Sequence, residues 1–176
     1  YFALSHKLAI GITYSSKMTI EMDNGDASFD VPTALASSFP DTKYKTELPL
    51  PASINLGLSY KVNEKLSLGA DFNYVFWEAY ESLDFDFETN TEALQDVVQP
   101  KNYSNGAIYR VGMQYKVNEK ITGRAGFYYD SPVVDDEYYA PETPDAVKLG
   151  FTGGISFSPT SNLSIDVSYL QIIGLE

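Results

Sequence analysis

The chain has no cysteine, a single histidine and no long apolar run. Without cysteine there are no disulfides and no thiol chemistry. With one histidine, His6, the common catalytic triads cannot be assembled. Basic residues are also scarce, and the net charge of −12 argues against nucleic acid as a partner, because phosphate binding needs a basic face. We therefore expect no enzyme, no catalytic residue, no cofactor and no metal ion.

What the sequence does have is tyrosine and a strict alternation of apolar and polar residues. Ile54, Leu56, Leu58 and Tyr60 alternate with serine, asparagine and glycine, and the same alternation resumes from Leu66. A period of two residues is typical of a β-strand with one apolar face. Two such runs joined by a short polar segment predict an antiparallel hairpin.

This hairpin occurs twice. The segment Tyr-Lys-Val-Asn-Glu-Lys stands at residues 60–65 and again at 115–120. When residues 55–74 are aligned with residues 110–129, ten of twenty positions are identical. The chain therefore contains an internal repeat of one hairpin, at an offset of 55 residues.

The same alternation predicts seven strands and, at residues 1–4, the end of an eighth. The connectors alternate in length: short near Ser5, at 61–64, at 116–119 and at 159–161, and long at 23–47, 88–105 and 131–146. In an up-and-down sheet, alternate connectors lie on the same rim, so all the short turns share one end. That asymmetry is typical of outer-membrane barrels. We expect the long connectors to be irregular, and the strand beginning at Leu66 to run on to about Phe87.

The two faces of these strands differ in composition. The predicted transmembrane segments are about nine residues long, which suits a tilted crossing of the bilayer. Two aromatic girdles would border the apolar face: Tyr60 and Tyr115 at the short turns, and Tyr74, Trp77 and Tyr129 near the loops. The opposite face is rich in glycine and serine and carries a few charges of both signs. We predict that it lines a lumen, with the lining residues Asp71, Asn73, Arg110, Arg124 and Asp166. A soluble β-sandwich remains an alternative, because its strands also alternate.

Three groups of residues have both a functional and a structural interpretation. Arg110 or Arg124 could bind the carboxylate of an amphipathic ligand, since a guanidinium binds carboxylate through two hydrogen bonds. Either could instead brace the wall in a salt-bridge network, which is the interpretation we favour. The acidic run 135–137 could hold Ca²⁺, although a solvated loop explains it better. His6 is expected to be a solvated turn residue.

Residues 48–60 and the aromatic-Trp pair Phe76-Trp77 resemble the mid-barrel region of FadL/TodX-type outer-membrane transporters. The segment from Arg124 to Pro132, followed by Pro141, Pro144 and Asp145, is similar to a second motif of that family. The resemblance covers about residues 48–169 in family order. It implies an antiparallel up-and-down transmembrane β-barrel of about 14 strands in the bacterial outer membrane, of which this chain supplies seven to eight.

The resemblance also implies a function, which is passive uptake of hydrophobic compounds such as long-chain fatty acids. We expect residues 1–176 to form a single domain, a partial barrel without the family's hatch and early strands. Its expected partners are membrane lipid on the outside and a hydrophobic small-molecule ligand on the inside. An alternative comes from the PorV-type relatives, which act as docking scaffolds for proteins of a secretion system. A soluble lipid-binding β protein is a third hypothesis.

Overall fold

The computed structural model of the chain describes residues 2–138 and 145–175. Within them lie twelve strands and three short 3-10 turns, and no helix is long and apolar enough to span a bilayer. The strands are β1 (Phe2–Ala3), β2 (Leu8–Ser15), β3 (Met18–Ala27), β4 (Thr42–Leu50), β5 (Ser53–Lys61), β6 (Leu66–Val75), β7 (Ser82–Phe87), β8 (Val97–Pro100), β9 (Gly106–Lys116), β10 (Ile121–Asp130), β11 (Val147–Thr160) and β12 (Leu163–Leu175). The 3-10 turns are Thr33–Leu35, Trp77–Ala79 and Asp136–Tyr138.

Eight of these strands form one antiparallel sheet, which we call the wall. Its order is β1-β2-β5-β6-β9-β10-β11-β12. These are the seven predicted strands and the remnant at the start of the chain, so the all-β up-and-down architecture is confirmed. The two repeated hairpins, β5–β6 and β9–β10, lie side by side through the β6–β9 ladder. Equivalent residues of the two copies therefore lie on neighbouring hairpins of the wall.

The remaining four strands form a second sheet in the order β3-β4-β7-β8, which we call the outer sheet. The expectation of irregular connectors at 23–47 and 88–105 was therefore wrong in part: β3 and β4 leave only residues 28–41 as a loop, and β8 lies within the second connector. The alternation is hard to see there because acids, lysines and prolines interrupt it. Pairing with the apolar residues of β3 stabilises β4 as a strand despite its Pro49.

The outer sheet continues the wall. Ser15 pairs with Ser53 in the wall and Met18 pairs with Leu50 in the outer sheet, in an unchanged register. The ladder is interrupted over residues 16–17 and 51–52, where Pro51 has no N–H to donate. A second irregularity, a register shift, lies within the outer sheet between Met22 and Gly25. The segments 8–27 and 42–61 thus form one long, interrupted hairpin.

The strand predicted from Leu66 to about Phe87 is broken in the structure. It ends at Val75, and the 3-10 turn Trp77–Ala79 separates it from β7. Trp77, which the sequence predicted to belong to a girdle, lies in this 3-10 turn and packs against Tyr103 with ring centroids 5.9 Å apart. Tyr80 completes this cluster, in an edge-on contact with Tyr103 at 5.1 Å. Tyr80, Tyr103 and Leu94 are the buried apolar side chains of the described residues.

Candidate functional site

Among residues 2–138 and 145–175, no second layer packs over the apolar face of the wall. Leu56 and Leu68 are each 40% exposed and Phe127 is 37% exposed, while Val167 reaches 64%. In a β-sandwich these side chains would be buried against a second sheet. The described residues thus do not form a packed sandwich, and an apolar surface of this extent is typical of a membrane interface.

The opposite face places the predicted lumen residues in register. Asp71 on β6 lies directly across from Arg110 on β9. The two side chains do not meet: the Asp71 carboxylate lies over Gly57, where Oδ1 would be 3.0 Å from an added Cβ. Within the described residues Arg110 makes no hydrogen bond and no ion pair, and it attracts the Asp130 carboxylate only from a longer distance. Arg110 is therefore an exposed guanidinium without a contacting partner in the described chain.

Arg124 is in the opposite situation. Its Nε donates to Gln114 Oε1 at 3.0 Å, and its Nη1 donates to Asp166 Oδ1 at 3.1 Å and to Ser156 Oγ. The hydroxyl groups of Ser156 and Ser164 also donate to Asp166. These contacts join β9, β10, β11 and β12 across the wall. The geometry thus supports the bracing interpretation for Arg124 and leaves only Arg110 open to a ligand.

Asn73 belongs to a different group of contacts. Its amide donates to Asn55 on β5, directly across the ladder. Asp71, Arg110, Arg124 and Asp166 share one recess, while Asn73 is not among the residues that line it. The structure thus brings four of the five predicted residues together around one open recess, which apolar residues such as Leu68 and Val111 also border.

The sequence reasoning did not identify Gln114, Ser156, Ser164 or Tyr128. The Tyr128 ring lies across Gly150 on the neighbouring strand, so closely that a Cβ at position 150 would fall 1.8 Å from it. The alternation places all four residues on the polar face, but their partners depend on the register between β9, β10, β11 and β12. A single strand does not contain that information.

A further polar cluster lies where the loop after β10 returns to the wall. Asp145 accepts the Val133 N–H at 2.6 Å and the Lys148 ammonium at 2.6 Å, with only 11% of its side chain exposed. Burial opposes its charge, but these hydrogen bonds outweigh burial and lower the pKa of Asp145. Asp145 was noticed in the sequence only as part of a family motif. The structure shows that its carboxylate fixes the end of this loop.

The remaining sequence predictions concern His6, a possible metal site and the second family motif. His6 is exposed in the turn between β1 and β2. Across residues 2–138 and 145–175, no three acidic or histidine side chains are grouped as a metal site would require. The second family motif lies partly at residues 139–144, outside the described residues.

Sequence and structure comparisons place the chain among known proteins. A family model described as outer membrane protein transport protein (OMPP1/FadL/TodX) matches residues 1–175. Outer membrane protein P1 of Haemophilus influenzae (strain ATCC 51907 / DSM 11121 / KW20 / Rd) is 27% identical over 165 residues, which are 94% of this chain and 34% of the relative. The putative outer membrane protein NMB0088 of Neisseria meningitidis serogroup B is 24% identical, over 96% of this chain and 40% of the relative. The chain thus spans about a third of the length of the first of these relatives.

Solved structures agree on the fold. A Pseudomonas aeruginosa FadL homologue superposes with a TM-score of 0.83 at 23% identity, over 97% of this chain and 42% of that one. The Ralstonia pickettii toluene transporter TbuX gives a TM-score of 0.62 at 24% identity, over 99% of this chain and 40% of that one. The chain belongs to the OMPP1/FadL/TodX family of outer membrane transport proteins, and it is a part of a β-barrel of the bacterial outer membrane rather than an enzyme.

Proposed function

We propose that the protein to which this chain belongs is a passive channel for hydrophobic compounds, with long-chain fatty acids as the ligand class. The observation that carries the proposal is the difference between the two faces of the wall. One face exposes apolar side chains such as Val111 and Phe151, whereas the opposite face carries charged groups such as the hydrogen-bonded pair Arg124 and Asp166. Such a wall suits lipid outside and an aqueous or ligand-filled lumen inside.

The proposed lumen residues divide into two roles. Asp71, Asn73, Arg124 and Asp166 line and brace the wall, because three of them have partners on neighbouring strands. Arg110 is available to bind a ligand carboxylate through two parallel hydrogen bonds. The ligand's tail supplies the rest of the affinity, about 0.8 kcal/mol for each buried CH₂. No covalent step is involved.

The test is uptake by the full-length protein in proteoliposomes, with a long-chain fatty acid compared with the alcohol of the same chain length. Arg110→Gln should reduce apparent affinity for the acid by about tenfold or more, the range expected for a hydrogen bond to a charged group. Affinity for the alcohol should stay unchanged. Lys45→Gln, a cation of the outer sheet, is the matched control and should alter neither compound.

The secretion-scaffold alternative is separated by the same assay. A full-length protein that transports neither the acid nor the alcohol, and that co-purifies with large partner proteins, would contradict the channel and favour a docking role. An equal loss of both compounds in Arg110→Gln would contradict the carboxylate role of Arg110 alone.

A further inference from the structure

The last strand of the wall reverses the alternation over three residues. Leu170 and Ile172 on β12 lie on the polar face, where they are 48% and 49% exposed, and Gln171 between them lies on the apolar face. The ladder between β11 and β12 keeps one register from Val147 to Phe157, so no bulge rotates the strand at this point. The strand thus presents apolar side chains where β11 presents glycine and threonine.

The polar and the apolar residues of this reversal have different surroundings. The Gln171 amide is satisfied locally: its Oε1 accepts the Tyr169 hydroxyl at 2.7 Å, and its Nε2 donates to Ile172 O at 3.1 Å. Leu170 and Ile172 leave about half of their surface open, on a face dominated by glycine, serine, threonine and charged residues. Apolar surface is unfavourable in water, and departures from a regular pattern concentrate at functional sites. The two side chains therefore indicate an apolar ligand.

A single row of the wall connects these residues to the free guanidinium. Arg110 pairs with Tyr128, Tyr128 pairs with Gly150, and Gly150 pairs with Ile172. Paired residues of a ladder share one face of the sheet, so all four positions lie on the polar face. At the usual spacing of about 4.8 Å between strands, Arg110 and Ile172 are about 14 Å apart. Leu170 is the next polar-face residue along β12 from Ile172.

The Tyr128 ring makes this row continuous. It lies across Gly150, in the space that a side chain at position 150 would occupy. The ring therefore extends over β11 toward β12 and covers the gap in front of Ile172. Tyr128, Leu170 and Ile172 together form an apolar surface that begins beside Arg110, and we call it the tail strip.

The other side of Arg110 does not suit an alkyl chain. There the paired residue is Asp71 on β6, whose carboxylate lies over Gly57. A chain laid in that direction would cover a charged group, and removing a carboxylate from water costs free energy. Arg110 thus stands at the boundary between a charged and an apolar part of the polar face.

We propose that the tail strip binds the alkyl tail of an aliphatic carboxylate whose head is held by Arg110. This role rests on the proposed function, and it adds a direction and a length to it. The tail runs across the strands toward β12, and only a chain that spans about 14 Å reaches Leu170 and Ile172. Because affinity rises with each buried CH₂, the tail strip favours long acids over short ones.

The position of the tail is tested by photolabelling of the full-length protein in proteoliposomes. The probe is dodecanoic acid with a diazirine at its methyl end, and the labelled residues are identified by mass spectrometry. The label should fall on Leu170 and Ile172, and Arg110→Gln should remove it there, because the head of the acid is no longer held. Label on Ile173, which lies on the apolar face, is the background and should be equal in both proteins.

The length dependence is tested by inhibition of uptake. Dodecanoate and hexanoate, which is too short to reach β12, compete with radiolabelled hexadecanoate at low concentration. Leu170→Ser/Ile172→Ser should raise the half-inhibiting concentration of dodecanoate by about tenfold and leave that of hexanoate unchanged. Arg110→Gln should raise both. The matched control is Val167→Ser/Ile173→Ser, on the apolar face of the same strand, which should change neither.

Two results would overturn the tail strip and leave the channel intact. One is a label on the polar face of β5 or β6, at Asn55 or Asn73, in place of the label on β12. The other is an equal loss of dodecanoate and hexanoate affinity in the Leu170→Ser/Ile172→Ser variant. A full-length protein that takes up no hexadecanoate would contradict the proposed function, and the tail strip with it.

Discussion

The assignment of the two faces can be tested by placing a lysine at successive depths of one strand. On β9 the side chains of Val111, Met113 and Tyr115 all lie on the apolar face, and they are 55%, 49% and 43% exposed. Two residues advance about 6.8 Å along a strand, or about 5 Å of depth at a tilt of ~45°. Val111 lies midway between Tyr115 and Ala107, which pairs with Tyr74 of the other tyrosine row, so Tyr115 is roughly 10 Å nearer the edge of an apolar band that is about 25 Å tall.

Lysine at the middle of such a band costs about 2–4 kcal/mol, and near the interface about 0–1 kcal/mol. We therefore expect Val111→Lys to lower the free energy of unfolding by about 2–4 kcal/mol and Met113→Lys to lower it by less. Tyr115→Lys should have the smallest charge-dependent cost of the three, measured relative to Tyr115→Ala so that the loss of the tyrosine ring is subtracted. Ser67→Lys, on the polar face, is the control and should change it by no more than about 0.5 kcal/mol. The measurement is denaturant unfolding of the full-length protein from lipid vesicles. Equal costs at Val111 and Ser67 would refute the assignment of the faces.

The remaining predictions concern contacts on the polar face and at the loop. Arg124→Gln should lower the denaturant midpoint, because it leaves Asp166 without its cation, whereas Arg110→Gln should leave the midpoint unchanged. Gly150→Ala should destabilise by about 1–3 kcal/mol through collision with the Tyr128 ring, and a double-mutant cycle with Tyr128→Ala should show most of that cost relieved. Asp145→Asn should destabilise by about 1–3 kcal/mol at neutral pH, with less loss of stability on acidification than in the parent.

The sign of the pH effect at Asp145 follows from its hydrogen bonds. Because its pKa is lower in the folded state than in the unfolded chain, its contribution to stability is present above the unfolded value and is lost as the pH falls through the folded one. Stability of the parent should therefore decrease below about pH 4–5. A variant with asparagine lacks this titration. An acid limb of stability that is the same in both proteins would show that the Asp145 carboxylate does not anchor the loop.

The wall could be predicted from the sequence because its strands repeat a simple rule. Each outward position from Ile54 to Tyr60 is apolar, and each short turn coincides with a polar segment of a few residues. Those signals are local, so one strand is enough to read them. The outer sheet could not be predicted in the same way. Its β8 has four residues, all exposed, and it becomes a strand through pairing with β7 rather than through its own pattern.

The candidate site was predictable as a face but not as a set of contacts. Alternation alone assigned Arg110 and Arg124 to the same surface, and nothing in their local sequence distinguishes a free guanidinium from a bound one. The distinction comes from the neighbouring strands: Arg124 has Gln114 on one side and Ser156 within reach on the other. Arg110 has Asp71 across one ladder, but that carboxylate lies over Gly57 instead. Gly57 on β5 has no side chain and leaves room for the Asp71 carboxylate, which therefore does not pair with Arg110.

The two copies of the repeated hairpin are alike in their turns and differ on their polar faces. Its turn segment, at 60–65 and 115–120, is identical in the two copies and is closed by the same asparagine hydrogen bonds. Its strands, which continue from those turns, carry the residues that differ between the copies: Asp71 in the first aligns with Gly126 in the second, and Gly69 aligns with Arg124. The turn is thus unchanged between the copies, whereas the polar face, which we propose to line the lumen, carries different residues. The same backbone hydrogen bonds close both turns and favour the same residues in each copy, while the proposed binding and bracing on the polar face require that equivalent positions carry different charges.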